Sequence, residues 1–291
     1  MKSLTQPMRT RFADHLIQEL TTGNPIGVFD SGVGGLSVLH EIRRELPEEG
    51  LLYVADSGYA PYGDKSVQLI EARAITIVEF LLSQRAKAIV VACNTATGVA
   101  IETLRARFPV PIVAMEPAVK PAVTHTQSGV IAVLATSRTI ASDNVAKLHE
   151  RFGANVKILM QACPGLVELV EAGDLSGDRT RALIAQYILP LLAEKVDTIV
   201  LGCTHYPFLV PLIREIAGPT VAIIDPSAAI ARELRRRLAS ANLLSTGSHA
   251  LTERFWSSAA PDKAQTIISQ LWQAGVKVDI LTSDTPVKTS G

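Results

Sequence analysis

The chain is poor in aromatic residues and in cysteine, has no surplus charge of either sign, and contains no long apolar run. Each shortage excludes something. Phe, Trp and Tyr make up 5% of the residues, too few for a base-stacking platform. Lys and Arg number 28 against 28 Asp and Glu, a formal net charge of zero. Nucleic-acid and membrane-surface proteins need a basic excess or stripe, so neither partner is expected. No apolar run approaches the roughly 20 residues of a membrane helix. Arg9, Arg11, Asp14 and Glu19 interrupt the first residues, unlike a secretory signal. Three cysteines, an odd number and far apart, do not make a disulfide framework. A reducing cytoplasm is the expected compartment, where thiols stay available for chemistry.

What is present is a large apolar fraction, 47% of 291 residues, enough for one big domain or two smaller ones. Two stretches read as versions of one another. They are Ala88-Ile-Val-Val-Ala-Cys93-Asn94-Thr95 and Thr198-Ile-Val-Leu-Gly-Cys203-Thr204-His205. Each is a run of β-branched and small apolar residues, the pattern of a buried parallel strand, and each ends in a cysteine followed by two hydrogen-bonding residues. The carboxyl ends of such strands are where open α/β sheets bind ligands.

The remaining pattern alternates strands and helices. Strands are predicted at 26–29, 51–55, 88–91, 112–115, 129–135, 156–160, 198–202, 221–224 and 276–281. Helices are predicted after the Gly-rich turn 30–35, at 66–85, up to 107, at 144–152, 179–194, after Cys203, after Asp225-Pro226-Ser227, and at 262–272. Pro117 and Pro121 punctuate the middle, and the pattern restarts after them. The strand before Thr136-Ser137 resembles the strand before Ser31, which implies an internal duplication with a period of about 106 to 110 residues. The expected fold is therefore α/β. It has two similar domains with mainly parallel sheets, related by a pseudo-twofold axis, with the site in the cleft between them. The expected division is 25–116 plus 227–291, 117–226, and an N-terminal extension 1–24.

Two opposed thiols limit the chemistry. Zinc needs more ligands at closer spacing, and there is no C-x-x-C pair, so no metal is expected. One cysteine could be an acyl-transfer nucleophile with His205 as base, but that leaves the second without a role. A pair of acid/base groups on opposite faces of a carbon uses both, and its outcome is inversion of a stereocentre. Asp30 and His205 are the nearest groups able to tune the thiols and take their protons. The turn Gly32-Val-Gly-Gly35 lacks the spacing of a dinucleotide fingerprint. Cys163, in a Cys-Pro context, reads as structural, and Trp256 and Trp272 as packing groups.

Four blocks carry a resemblance. They are Gly27-Val-Phe-Asp30-Ser31-Gly-Val-Gly-Gly-Leu36, Pro61-Tyr62-Gly63-Asp-Lys-Ser66, Ala92-Cys93-Asn94-Thr95-Ala96 and Leu201-Gly-Cys203-Thr204-His205-Tyr-Pro207. In order and spacing they resemble the bacterial glutamate racemases of the cofactor-independent aspartate/glutamate racemase superfamily, over residues 25 to 240. The resemblance implies direct 1,1-proton transfer between L- and D-glutamate without a cofactor, feeding peptidoglycan synthesis. An aspartate or other small-acid racemase is the alternative on the same scaffold. By resemblance Cys93 deprotonates D-glutamate with help from Asp30, and Cys203 deprotonates L-glutamate with help from His205. A helper glutamate after the Cys-Pro segment matches Glu171, with Glu168 as its rival. Asp30, Ser31, Tyr62, Gly63, Asn94, Thr95, Thr204 and His205 match substrate-binding positions. The Gly-rich turn is implied to hold a substrate carboxylate through Ser31 and its amides. Tyr59 stands where many members have Arg. A muropeptide-precursor activator and a homodimer are further possibilities that the family carries.

Overall fold

The computed structural model describes residues 20–142, 156–247 and 252–281. The helix expected at 144–152 and most of the extension 1–24 lie outside the described residues. Two sheets organise the fold, and every strand pair in both is parallel. The first sheet contains β1 (Ile26–Asp30), β2 (Leu51–Ala55), β3 (Ala88–Val91), β4 (Ile112–Ala114), β9 (Glu253–Ser257) and β10 (Val278–Ile280), in the order β10-β9-β2-β1-β3-β4. The second contains β5 (Val130–Ala135), β6 (Lys157–Ala162), β7 (Thr198–Gly202) and β8 (Ala222–Ile224), in the order β6-β5-β7-β8. The order β2-β1-β3-β4 in one sheet therefore repeats as β6-β5-β7-β8 in the other. This bears out the α/β reading with two similar parallel sheets.

Helices cover the sheets, as parallel strands buried on both faces require. They are α1 (Leu36–Glu45), α2 (Val67–Ser83), α3 (Asn94–Arg107), α4 (Val119–His125), α5 (Ser137–Ile140), α6 (Leu166–Glu171), α7 (Asp178–Ala193), α8 (Val210–Ala217), α9 (Ser227–Ser240) and α10 (Pro261–Trp272). The helical starts follow local chemistry. Ser66 caps α2 by accepting from the Leu69 amide at 3.2 Å, and Thr136 caps α5 by accepting from Thr139 at 3.3 Å. The N-cap of α3 is Cys93 itself, whose sulfur accepts from the Ala96 amide at 3.5 Å.

Four elements were not expected, the helices α4, α5 and α6 and the strand β9, and two of them have a clear physical reason. The segment with Pro117 and Pro121 forms α4, because Pro121 falls in the first helical turn, where its missing N–H has no intrahelical partner to lose. The strand β9 was not expected at all. It reads Glu-Arg-Phe-Trp-Ser, with its outer end exposed, and it inserts between β2 and β10. Trp256 on β9 and Trp272 at the end of α10 are both buried, as packing groups should be. At the amino ends of the inner strands β2 and β3, away from the cleft, Lys87 and Glu49 form a buried ion pair at 2.6 Å. Lys87 also donates to the Thr22 carbonyl, and Glu49 accepts from the Ser245 amide, so the pair ties both flanking segments to the sheet. Among the described residues no helix is long and apolar enough to cross a membrane.

Candidate active site

Cys93 follows β3 and Cys203 follows β7, the equivalent strands of the two sheets. Both line one narrow cavity together with Ser31, Pro61, Tyr62, Gly63, Asn94, Thr95, Thr136, Val167, Gly202, Thr204 and His205. Its volume is about 10 Å³, close to the room of a single water. All three cysteines are free and buried.

On one side, Asp30 ends β1 completely buried. Its Oδ1 accepts from the Ser31 amide at 2.7 Å, and its Oδ2 accepts from the Gly35 amide at 2.7 Å and from Thr204 Oγ1 at 3.1 Å. Cys93 Sγ lies 3.6 Å from Ser31 Oγ. Burial pushes the Asp30 carboxyl up, against the opposing pull of His205. Burial also pushes the Cys93 thiol well up, and the negative charge of Asp30 adds to the effect. Cys93 is therefore held as a neutral thiol, a proton donor, in this arrangement.

On the other side, His205 Nδ1 lies 3.7 Å from Cys203 Sγ, and Nε2 donates to Glu171 Oε1 at 2.7 Å. Burial alone would lower the His205 pKa. The hydrogen bonds and charges of Cys203 and Glu171 outweigh it and raise the value well above the ordinary imidazole range. The result is an imidazolium sandwiched between a sulfur and a carboxylate. Glu171 rather than Glu168 makes this contact. Both sit on α6, but Glu168 is exposed while Glu171 is largely buried.

The Gly-rich turn behaves differently from the expectation. Its amides at Ser31 and Gly35 donate to Asp30, and that at Val33 donates to Glu171 Oε1 at 2.7 Å. These amides are engaged by the protein's own carboxylates and are not open to a substrate carboxylate. The glycines serve close approach instead. A Cβ on Gly32 would lie 1.8 Å from Glu171 Oε1, and one on Gly34 would lie 2.3 Å from His205 Nδ1.

Tyr62 lines the cavity, and its hydroxyl donates to Asp56 at 2.6 Å. Asp56 is in turn gripped by Arg73 through two hydrogen bonds of 2.9 and 2.7 Å. The Arg73 guanidinium lies 4.2 Å above the Tyr59 ring, so Tyr59 receives a cation where an arginine would supply one. Asn94 is buried with both amide atoms unpartnered, the state of a group kept for a ligand. Thr95 Oγ1 meets Thr136 Oγ1 at 3.0 Å and Thr139 Oγ1 at 3.1 Å across the cleft.

These observations decide the family. A profile of the Asp/Glu/Hydantoin racemases matches residues 26–234. The chain belongs to the Asp/Glu/Hydantoin racemase family. It is therefore an isomerase by family. Glutamate racemase of Pseudomonas aeruginosa strain PAO1 is 54% identical over 85% of this chain and 93% of its own. The crystal structure of a glutamate racemase isoform from Bacillus anthracis superposes with a TM-score of 0.81 at 34% identity, covering 92% of this chain and 100% of that one. Escherichia coli glutamate racemase, solved with L-glutamate and the activator UDP-MurNAc-Ala, superposes with a TM-score of 0.78 at 32% identity, covering 89% and 98%.

The racemase cavity thus gathers every expected residue except Asp30 and Glu171 into its lining, and it holds those two one hydrogen bond behind it. Thr136 and Thr139 were not expected at the site. The one available signal was that Thr136 follows β5 as Ser31 follows β1. Cys163 is buried away from the cavity lining. Burial and the charge of Cys203 push its thiol up to about 12, which suits an inert structural thiol.

Proposed function

We propose that the protein interconverts L- and D-glutamate by cofactor-independent, two-base 1,1-proton transfer. The observation that carries this reading is the pair of thiols. They end equivalent strands of two matching sheets and line one cavity, each with its own acid/base partner. The Cys203 thiolate takes the α-proton of L-glutamate, and the Cys93 thiol delivers its proton to the opposite face, giving D-glutamate. The reverse reaction exchanges these roles. His205, held by Glu171, assists Cys203, and Asp30 assists Cys93.

Removing a proton beside an ionised carboxylate builds up negative charge that must be met by fixed donors. Ser31, Asn94 and Thr95, with Thr136 beside them, are those donors, while Thr204, whose hydroxyl donates to Asp30, lines the cavity with Tyr62 and Gly63. Asn94, with its amide unpartnered, is the strongest of these assignments. A cavity this small admits glutamate only by opening, so catalysis includes a step in which the cleft parts and closes over the substrate. The same reading divides the chain into 25–116 plus 227–291 and 117–226, in keeping with the strand membership of the two sheets.

Glutamate is preferred to aspartate because the relatives above 50% identity are named glutamate racemases. The D-glutamate formed is assigned to peptidoglycan precursor synthesis in the cytoplasm. Activation by a muropeptide precursor follows from likeness to the Escherichia coli enzyme.

The test uses purified protein in deuterated water without added cofactor. It follows α-proton loss by NMR and optical rotation by circular dichroism, with L-glutamate and L-aspartate in parallel and with or without UDP-MurNAc-Ala. Racemisation with deuterium incorporation from glutamate alone is the expected result. Reaction of aspartate alone would overturn the substrate assignment, and silence with both, activator present, would overturn the activity.

A further inference from the structure

Glu171 belongs by sequence to the second sheet's half of the molecule, yet two of its three partners come from the first. Its Oε1 accepts from the Val33 amide at 2.7 Å and from His205 Nε2 at 2.7 Å. Its Oε2 accepts from Ser57 Oγ at 2.9 Å. Ser57 stands just after the buried Asp56, in the short 3-10 turn Ser57–Tyr59 that follows β2. Buried Asp56, clamped by Arg73 and Tyr62, fixes where that turn begins. A carboxylate has two oxygens and several lone pairs, and a donor on each oxygen fixes both its position and its plane. Without Ser57 the Oε2 oxygen loses its partner, and the group can rotate away from His205.

We propose that Ser57 is a positioning residue for the Cys203 side of the reaction. With the Val33 amide it holds Glu171 from across the cleft, so the first half of the molecule sets how Glu171 is aimed at His205, while the Glu171–His205–Cys203 chain itself lies in the second half. This inference rests on the two-base reading. The groups that face Glu171 and His205 are Asp30, Tyr53 and Cys203. None of them donates to Oε2, which leaves Ser57 as the donor to that oxygen.

The test compares wild type, Ser57→Ala, Ser57→Thr and Glu171→Gln, each checked for an unchanged thermal unfolding midpoint. It uses L- and D-glutamate carrying deuterium at the α-carbon. Loss of a hydrogen bond to a charged group lowers the rate about ten-fold, so kcat for Ser57→Ala should fall by about that factor. Ser57→Thr, which keeps the hydroxyl, should recover most of it. Slowing only the Cys203 steps makes removal of the L-proton more rate-limiting. The isotope effect should therefore rise with L-glutamate and fall with D-glutamate. In the Glu171→Gln background the Ser57→Ala substitution should cost little more, because both act through one contact. Equal changes in the two isotope effects, or full additivity with Glu171→Gln, would overturn the Ser57 role and leave the two-base reading standing. Wild-type racemisation in protium water that keeps the substrate's own α-deuterium in the product would overturn the two-base reading, and this inference with it.

Discussion

The two ends of the cleft share a backbone plan but not their chemistry. Cys93 and Cys203 occupy equivalent places after β3 and β7. Behind Cys93 stands Asp30, and the equivalent position at the end of β5 is Ala135. Beyond Cys203 stands His205, and the equivalent position in the first half is Thr95. One thiol thus faces a buried carboxyl and is held protonated, while the other faces an imidazolium braced by Glu171. A duplicated scaffold supplies two opposed thiols, but mirror-image substrates do not require mirror-image helpers. On the two-base scheme each thiol therefore works with a helper of its own kind, a carboxyl at Cys93 and an imidazole at Cys203.

The harshest test of this comparison removes a thiol from one side at a time. Cys93→Ala and Cys203→Ala should each lower racemisation by about a thousand-fold or more, with circular dichroism reporting an intact fold. Near-normal turnover in either variant would break the scheme. Any α-proton exchange that survives should be confined to D-glutamate in Cys203→Ala and to L-glutamate in Cys93→Ala, as read by NMR in deuterated water.

Removing the helpers sharpens the contrast further. His205→Asn should lower kcat by about a hundred-fold and raise the isotope effect with L-glutamate. Asp30→Asn should shift the isotope effects the opposite way. The same shift from both variants would mean that the two sides are not separate.

Crowding is a subtler way to disturb one side. Gly34→Ala directs its methyl group at His205, 2.3 Å away, and Gly35→Ala directs one at Asp30 Cβ, 2.7 Å away. A misplacement of this order costs up to about a hundred-fold in rate. Steady-state assays should find loss in both, with the isotope signature of the Cys203 side in the first and of the Cys93 side in the second.

The smallest expected effect is on stability against pH. A group whose folded pKa is raised contributes stability below its unfolded value, and that contribution fades as pH climbs to the folded value. For His205 the loss begins above the ordinary 6.5, and for the Cys93 thiol it begins above 9.0. Melting temperatures across pH should therefore fall less steeply from 6.5 upward in His205→Asn, and less steeply only above 9.0 in Cys93→Ser.

Much of the fold was legible because its signals are local. Apolar runs bounded by glycine, proline and capping residues mark β1 to β3 and β5 to β8 within a residue or two. The strand β9 escaped notice because its charged outer end breaks the apolar run, and its place between β2 and β10 depends on a partner some 200 residues away. Helix α4 is not legible locally, because Pro121 marks a break in the pattern although the first helical turn accommodates a proline.

By itself the sequence determined where the two thiols fall, since each ends a buried strand, and that both halves share one plan. It also marked Asp30, Asn94 and His205 by their closeness in the chain to a thiol or a glycine-rich turn. Only the tertiary structure decided which carboxylate meets His205, where the glycine-rich amides point, that Ser57 donates to Glu171, and that Thr136 lines the cavity. The physical reason is range. Strand and cap signals act over a few residues, whereas Glu171 meets Val33 across 138 residues and Ser57 across 114, contacts that exist only once the two halves pack together.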